Sequence, residues 1–195
     1  MNLEIHDSMI PGTRLKKSDM GNVTGLEFLS KVFFISEGVM LSQIREVSGI
    51  DGSTLQNWTK RGWVANARLK KYNIDQVAHI LIINMLRSCI QLDKIALLLQ
   101  YINGNIDDKS DDIIRDSVLY DYICRILETL TRQDVASKAS IKEVIQAQIA
   151  DYEEAMPGAR ERLANALEII VTAYYAALIK RNSDEMLTEL MSNTY

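Results

Sequence analysis

Between residues 53 and 71 the chain carries side chains suited to holding a polyanion: Ser53, Thr54, Gln56, Asn57, Lys60 and Arg61 in one short run, then Arg68, Lys70 and Lys71. Gln and Asn amides present a donor and an acceptor together, which matches the edge of a base. Hydroxyls near a helix start can donate to phosphate, and Lys and Arg neutralise phosphates whatever the sequence. Leu55 and Trp58 stand three apart within the run, so on a helix they share one face and the polar set projects from the rest. Bond-making chemistry finds no comparable constellation. His6 and His79 are isolated from each other, no glycine-rich loop is placed to cradle a phosphate, and no nucleophile is paired with a base. The expectation is a non-enzymatic protein with no cofactor and no bound metal.

Positioning such a run requires short helices, and the surrounding sequence supplies them. Thr24 with Glu27 has the form of a capping box, and Leu26, Leu29, Val32 and Phe33 follow at helical spacing, which predicts a helix to about Ser36, ended by Gly38. Leu41, Ile44, Arg45 and Val47 predict a second helix that stops at Ser48-Gly49, where glycine can turn the chain tightly. Asp51 is the expected N-cap of a third, 52–61, closed by Gly62. The stretch 63–72 reads as a short β-hairpin or loop. Asn73 with Gln76 caps an almost wholly apolar helix, and Leu92, Ile95, Ala96 and Leu99 mark the buried stripe of the next, which Asn103-Gly104-Asn105 ends.

Beyond that point Ser110 is the expected cap of a long helix striped by Leu119, Ile123, Ile126, Leu127 and Leu130. A helix over 140–155 follows, interrupted by Met156-Pro157-Gly158, and a last one runs to about Met191. The architecture read from this is all-α with a short β wing. An irregular or strand-like arm (1–23) precedes a reader domain (24–104), and a helical region (105–195) serves assembly and the sensing of an unidentified small-molecule effector. Tyr120, Tyr122, Tyr174 and Tyr175 either line an effector cavity or pack at helix interfaces, the commoner role.

Composition narrows the class. A chain of 195 residues that is 47% hydrophobic and 25% charged has enough apolar surface for a real core. Cys89 and Cys124 lie in apolar stretches without partners at metal-ligand spacing and are expected as buried free thiols. No signal peptide is expected from the first twenty residues, nor a membrane span, since the apolar segments 80–86 and 169–179 are shorter than the roughly 20 residues a bilayer needs. The Asn22-Val23-Thr24 sequon then has no meaning, and the expected compartment is the cytoplasm. The formal net charge of −4 hides a division: residues 40–74 hold six basic side chains against two acidic ones (Glu46, Asp51), while 75–195 hold twelve against nineteen. The positive field falls on the segment whose side chains suit DNA.

The order of these residues adds to their chemistry. The run MLSQIREVSGIDGSTLQNWTKRGWV, followed by ANARLKKYNIDQVAHILIINMLRSCIQLDKIALLL, resembles the MerR-type winged helix-turn-helix. The matching positions are Ser48-Gly49, Thr54-Leu55, Gly62 and Lys70-Lys71-Tyr72, with Ile74-Asp75-Gln76-Val77 opening the helix after the wing. The stretch from about Thr24 to Leu127 is similar to the bacterial group called domain of unknown function family 1836, at Gly25-Leu26-Glu27-Phe28, Gln56-Asn57-Trp58, Lys60-Arg61-Gly62-Trp63-Val64 and Asp111-Asp112-Ile113-Ile114. The resemblance implies a MerR-like reader and a presumed regulator. Departures are a shorter wing, several helices in place of the long dimerising coiled coil, and no cysteine where metal-sensing members keep ligands. The expectation is a transcriptional regulator, a homodimer that binds double-stranded DNA through Ser53, Thr54, Gln56, Asn57, Lys60, Arg61, Arg68, Lys70 and Lys71. The alternatives are a protein-protein interaction module of the same fold and a small-molecule sensor without direct DNA binding.

Overall fold

A computed structural model describes residues 8–33, 38–106, 108–133 and 137–192. Helix α1 (Gly25–Val32) is followed by strand β1 (Val39–Met40), helices α2 (Leu41–Ser48) and α3 (Gly52–Lys60), and strand β2 (Lys71–Tyr72). Then come α4 (Ile74–Leu86), α5 (Leu92–Asn103), α6 (Asp116–Gln133), α7 (Lys138–Gln148) and α8 (Ala159–Ser192). The chain is mainly helical, with a single small antiparallel sheet among the described residues that pairs Val39 with Tyr72 and Met40 with Lys71.

Helix α4 lies at the centre because its apolar side chains point all round. Nine of its thirteen residues are buried, and it packs against α2, α5, α6 and α8. Its start is the expected capping box: the Asn73 side chain accepts the Gln76 amide at 2.9 Å and the Gln76 side chain accepts the Asn73 amide at 2.9 Å. Leu119, Ile123, Ile126, Leu127 and Leu130 form the buried stripe of α6, and one apolar cluster runs from Ile10 to Leu178.

Two helix starts differ from the sequence expectation, for the same reason. Thr24 does not cap α1; its hydroxyl donates to Glu128 at 2.5 Å, and the amide of Leu26 is taken by the Asp121 carboxylate of α6 at 2.8 Å. Gly25 is required there, since φ is +57° and a Cβ would stand 2.2 Å from that carboxylate. Helix α6 starts at Asp116, not Ser110. The carbonyls of Ile113 and Ile114, which a helix would use, accept bonds from the Tyr152 hydroxyl and the Asn103 amide, both at 2.7 Å. The amide of Ser117 is then capped from α4, by Asp75 at 3.1 Å. In both cases a carboxylate distant in sequence displaces the local cap.

The arm, from residue 8 onward, is an irregular strap seated against the helices. A bridge joins Met9 to Lys16, Ile10 is fully buried, and residues 18–20 make one 3-10 turn. The Tyr120 hydroxyl donates to the Pro11 carbonyl at 2.7 Å, and the Asn84 amide donates to Gly12 at 2.8 Å and to Ser48 at 3.0 Å. Residues 1–7, with His6, and the expected end of the first helix at 34–36 lie outside the described residues.

The helix expected over 140–155 is α7, which begins at Lys138 behind a Ser137 cap and stops at Gln148. Helix α8 contains an 18-residue window of mean hydropathy 1.3, long and apolar enough to cross a membrane, although the segments named from sequence fell short. Half of that window is buried inside the fold, where Leu163, Leu167, Ile170 and Tyr174 face the core. Its last turns leave the body and expose Met186, Leu187, Leu190 and Met191.

Burial alone would raise the Asp75 carboxyl, but hydrogen bonds from Ser117 and Arg115 outweigh it and hold the group below its ordinary value of 3.8. A depressed carboxylate favours the folded state above its unfolded value, and the contribution fades as pH falls through the folded value. Asp75→Asn should therefore cost about 1–2 kcal/mol at neutral pH, mostly from the Ser117 bonds, because the Arg115 side of the pair is exposed. Urea unfolding of both proteins should show the gap closing below about pH 3.8. A gap as wide in acid as at neutrality would refute the linkage.

Candidate nucleic-acid interface

Helix α3 divides as its spacing requires. Leu55 and Trp58 are fully buried, while Ser53, Gln56, Asn57, Lys60 and Arg61 are exposed and Thr54 is half-buried. The preceding turn is held tightly. Gly49 takes φ +72° and its amide returns to Arg45 at 2.9 Å, and the Ser48 hydroxyl accepts the Ile50 amide at 3.1 Å. Because Asn84 also holds the Ser48 carbonyl, the angle between α2 and α3 is set by α4.

Two groups at the start of α3 change the electrostatics expected there. Asp51 precedes the helix in an extended conformation without making a side-chain cap. The Ser53 hydroxyl donates to its carboxylate, and that bond, helped by the charge of Arg45, keeps the carboxyl below its ordinary range. Ser53 is thus already engaged, and a permanent negative charge stands where a phosphate was expected. The compensating cations sit beside it: Arg14 and Arg45 border a polar notch of about 380 Å³ with Ser42 and Asp51. Sequence reasoning placed neither arginine in the site. Arg14 lies in the arm, and it is brought to this edge by its Nε bond to the Glu46 carbonyl at 2.7 Å.

At the other end of α3 the positive groups stand clear. Lys60, Arg61, Arg68, Lys70 and Lys71 are all exposed, and the ion pairs between described residues use none of them. The Arg61 guanidinium lies over the Trp63 ring, 5.1 Å from its centroid, so it is held in place without losing its charge.

The hairpin expected over 63–72 is present only as its tip. Arg68 and Lys71 exchange both backbone bonds at 2.9 Å around Leu69 and Lys70, which sit at φ +50° and +63°. Lys71-Tyr72 then pairs with Val39-Met40, so the wider sheet is completed from before α2. Its base is pinned by α4, whose Gln76 side chain donates to the Asn66 carbonyl at 2.9 Å and whose His79 Nε2 lies 3.0 Å from the Trp63 carbonyl. His79, a lone histidine in the sequence, is buried and presents Nδ1 to Asp116 at 3.2 Å. No spacing in the chain signals that contact.

Tyr120 and Tyr122 bond across element interfaces, and Tyr174 borders a groove beside the arm. Tyr120 is buried against the arm, and Tyr122 donates to Asp151 at 3.3 Å. Cys124 is buried, and burial pushes its thiol up to about 12. Cys89 is exposed, contrary to expectation, because α4 ends at Leu86 and leaves it in the following turn.

Residues 27–123 match the model of a family described as Domain of unknown function (DUF1836). The Bacillus subtilis (strain 168) protein called "Uncharacterized protein YkrK" is 30% identical over 122 residues, which are 60% of this chain and 51% of that protein. The chain therefore spans about half the length of that curated relative. No solved structure matches this chain.

The tip of the hairpin carries a cost. Two non-glycine residues in the left-handed region are disfavoured by roughly 1–2 kcal/mol each, and Leu69 is 89% exposed, so little packing offsets this. Replacing Leu69-Lys70 by Asn-Gly, the pair such two-residue turns prefer, should stabilise the protein by about 1 kcal/mol or more. A thermal melt of the double variant is the check; a lowered midpoint would mean that Leu69 or Lys70 makes a stabilising contact through its side chain.

Proposed function

We propose that this chain, whose residues 27–123 carry the DUF1836 domain, is a DNA-binding transcriptional regulator that reads the duplex through α3 and the 63–72 wing in the MerR manner. The observation that carries this reading is the set of five exposed cations, Lys60, Arg61, Arg68, Lys70 and Lys71, which enter none of the ion pairs among the described residues of an otherwise acidic protein. Gln56 and Asn57 are the base readers in this scheme. Their side chains stand on the exposed face of a helix slim enough for the major groove, between cations that fix its register on the backbone. Arg14 and Arg45 balance Asp51 and take the phosphate beside the N-terminus of α3. The acidic excess of residues 75–195, nineteen acidic side chains against twelve basic ones, keeps the rest of the surface away from the polyanion.

A homodimer belongs to the same reading, because two copies related by a twofold axis engage two half-sites. The end of α8 supports it, since Met186, Leu187 and Met191 are large apolar side chains exposed along it. Sedimentation should give twice the chain mass of 22.1 kDa, reverting to the monomer in Leu187→Glu/Met191→Glu; a wild-type monomer at all concentrations removes the dimer from the proposal.

Selection of bound sequences from a random duplex pool with the purified chain tests the function. Enrichment of a defined site is expected, with affinity falling by about 0.9 log unit per log unit of salt for every phosphate neutralised. Lys60→Ala/Arg61→Ala/Lys70→Ala should abolish binding while leaving the melting curve nearly unchanged, because all three side chains are exposed. Binding undiminished in that variant would exclude this face as the DNA surface.

A further inference from the structure

Among the described residues, only the tip of the hairpin combines a strained backbone with an exposed large apolar side chain. Leu69 sits at φ +50° with 89% of its surface in water, and Lys70 follows at φ +63°. Asparagine or glycine would hold that turn at lower cost, and a polar side chain would suit its surroundings better. The stability of the chain does not account for a leucine there. Strain of this kind collects where a side chain serves a partner rather than the fold.

The register of the sheet defines what surrounds Leu69. Arg68 and Lys71 are paired across the hairpin, so their side chains leave on the same face, and Met40, paired with Lys71 across the β1–β2 ladder, shares it. That face looks outward. Lys71 and Met40 are exposed, whereas Tyr72, one residue on and therefore on the opposite face, is buried. Arg68, Lys70 and Lys71 flank Leu69 with charge that no ion pair between described residues neutralises. The mount is held from behind: Gln76 bonds the Asn66 carbonyl, His79 lies against the Trp63 carbonyl, and Lys71-Tyr72 is tied to Val39-Met40. The position of the tip is therefore set by α4 and the sheet.

We infer that Leu69 is a minor-groove wedge: with α3 in the major groove, the hairpin tip enters the neighbouring minor groove, where Leu69 presses between two stacked base pairs and Arg68, Lys70 and Lys71 hold the phosphates on either side. The inference rests on the DNA-reading proposal and adds to it a contact that reads deformability in place of hydrogen bonds. An apolar side chain needs no hydrogen-bond partner from the minor groove, whose base edges differ little, and it gains by leaving water when a base step opens to receive it. Pyrimidine-purine steps, TA and CA/TG, unstack most readily, so the binding site should carry one of them beside the bases that face Gln56 and Asn57. A membrane surface is the other partner that takes an apolar tip flanked by cations. One leucine gives far less apolar area than stable membrane attachment requires, and the hairpin follows directly on α3, whose exposed Gln56 and Asn57 amides suit base edges and not lipid.

The duplex enriched by selection with the full chain is the probe, with 2-aminopurine substituted in turn for each adenine of both strands. The base analogue brightens when it loses its stacking neighbours, and the wild-type chain should brighten it at one pyrimidine-purine step. Leu69→Asn keeps every cation and suits the left-handed turn, so its melting midpoint should be no lower than that of the wild type. The fluorescence rise should nevertheless vanish, and affinity should fall by about 10-fold, the loss expected when one buried leucine is removed, with the salt slope unchanged. Leu69→Met keeps an apolar wedge and should retain the signal and bind within about 3-fold of the wild type. A duplex bound by the wild type with no rise at any adenine overturns the wedge and leaves the DNA reading standing, and so does a rise that persists in Leu69→Asn. A lowered midpoint in Leu69→Asn overturns the wedge as well, because the leucine would then serve the fold. Selection of no duplex overturns both readings, and phosphatidylglycerol vesicles bound by the wild type but not by Leu69→Asn would reassign the tip to a membrane.

Discussion

Asp75 and Asp121 do for this fold what local caps do elsewhere. Each is a carboxylate on one helix that accepts the free amides at the start of another, Asp121 of α6 for α1 and Asp75 of α4 for α6. The first turns of a helix leave amides that must find acceptors when they are buried. Here the acceptors come from the helices that pack alongside, so the satisfaction of α1 and α6 depends on tertiary docking. The relative placement of α1, α4 and α6 follows, and with it the position of the Asn84 side chain that holds the turn between α2 and α3. The surface presented by α3 is therefore fixed by contacts on the far side of α4.

That dependence explains which elements could be read from the sequence. The capping box of α4, its all-round apolar content, the Leu55-Trp58 face of α3 and the buried stripe of α6 are local or periodic signals, and the structure reproduces them. The starts of α1 and α6 are not local. Thr24 with Glu27, and Ser110 with Asp111 and Asp112, have the right residue types for caps, but acceptors remote in sequence win because they also bury their own hydrogen-bonding capacity. The strand at Val39-Met40 escaped for a different reason. Two residues carry no period, and their partner at Lys71-Tyr72 lies across the whole of α2 and α3.

The polar side chains proposed for DNA were readable because they are exposed on one short helix, whose outward face can be worked out from its two apolar residues. What sequence could not supply was their electrical context. By residue type Asp51 reads as a helix cap, yet it holds the Ser53 hydroxyl and keeps its charge. Arg14 belongs to a segment without periodicity, and only the folded arm carries it to α2. His79 and Asp116 lie on different helices and meet behind the hairpin.

The arm also has a bearing on the order in which the chain can assemble. Ile10 is sealed in the interior, and the carbonyls of Pro11 and Gly12 are claimed by Tyr120 and Asn84. Those partners leave the ribosome long after the arm does, at about 5–20 residues per second. For that interval the apolar Ile10 stays in water and the two carbonyls are held by water alone, and α2 and α3 emerge before the helix that braces their turn exists. Assembly of the N-terminal half is in this sense gated by translation of α6.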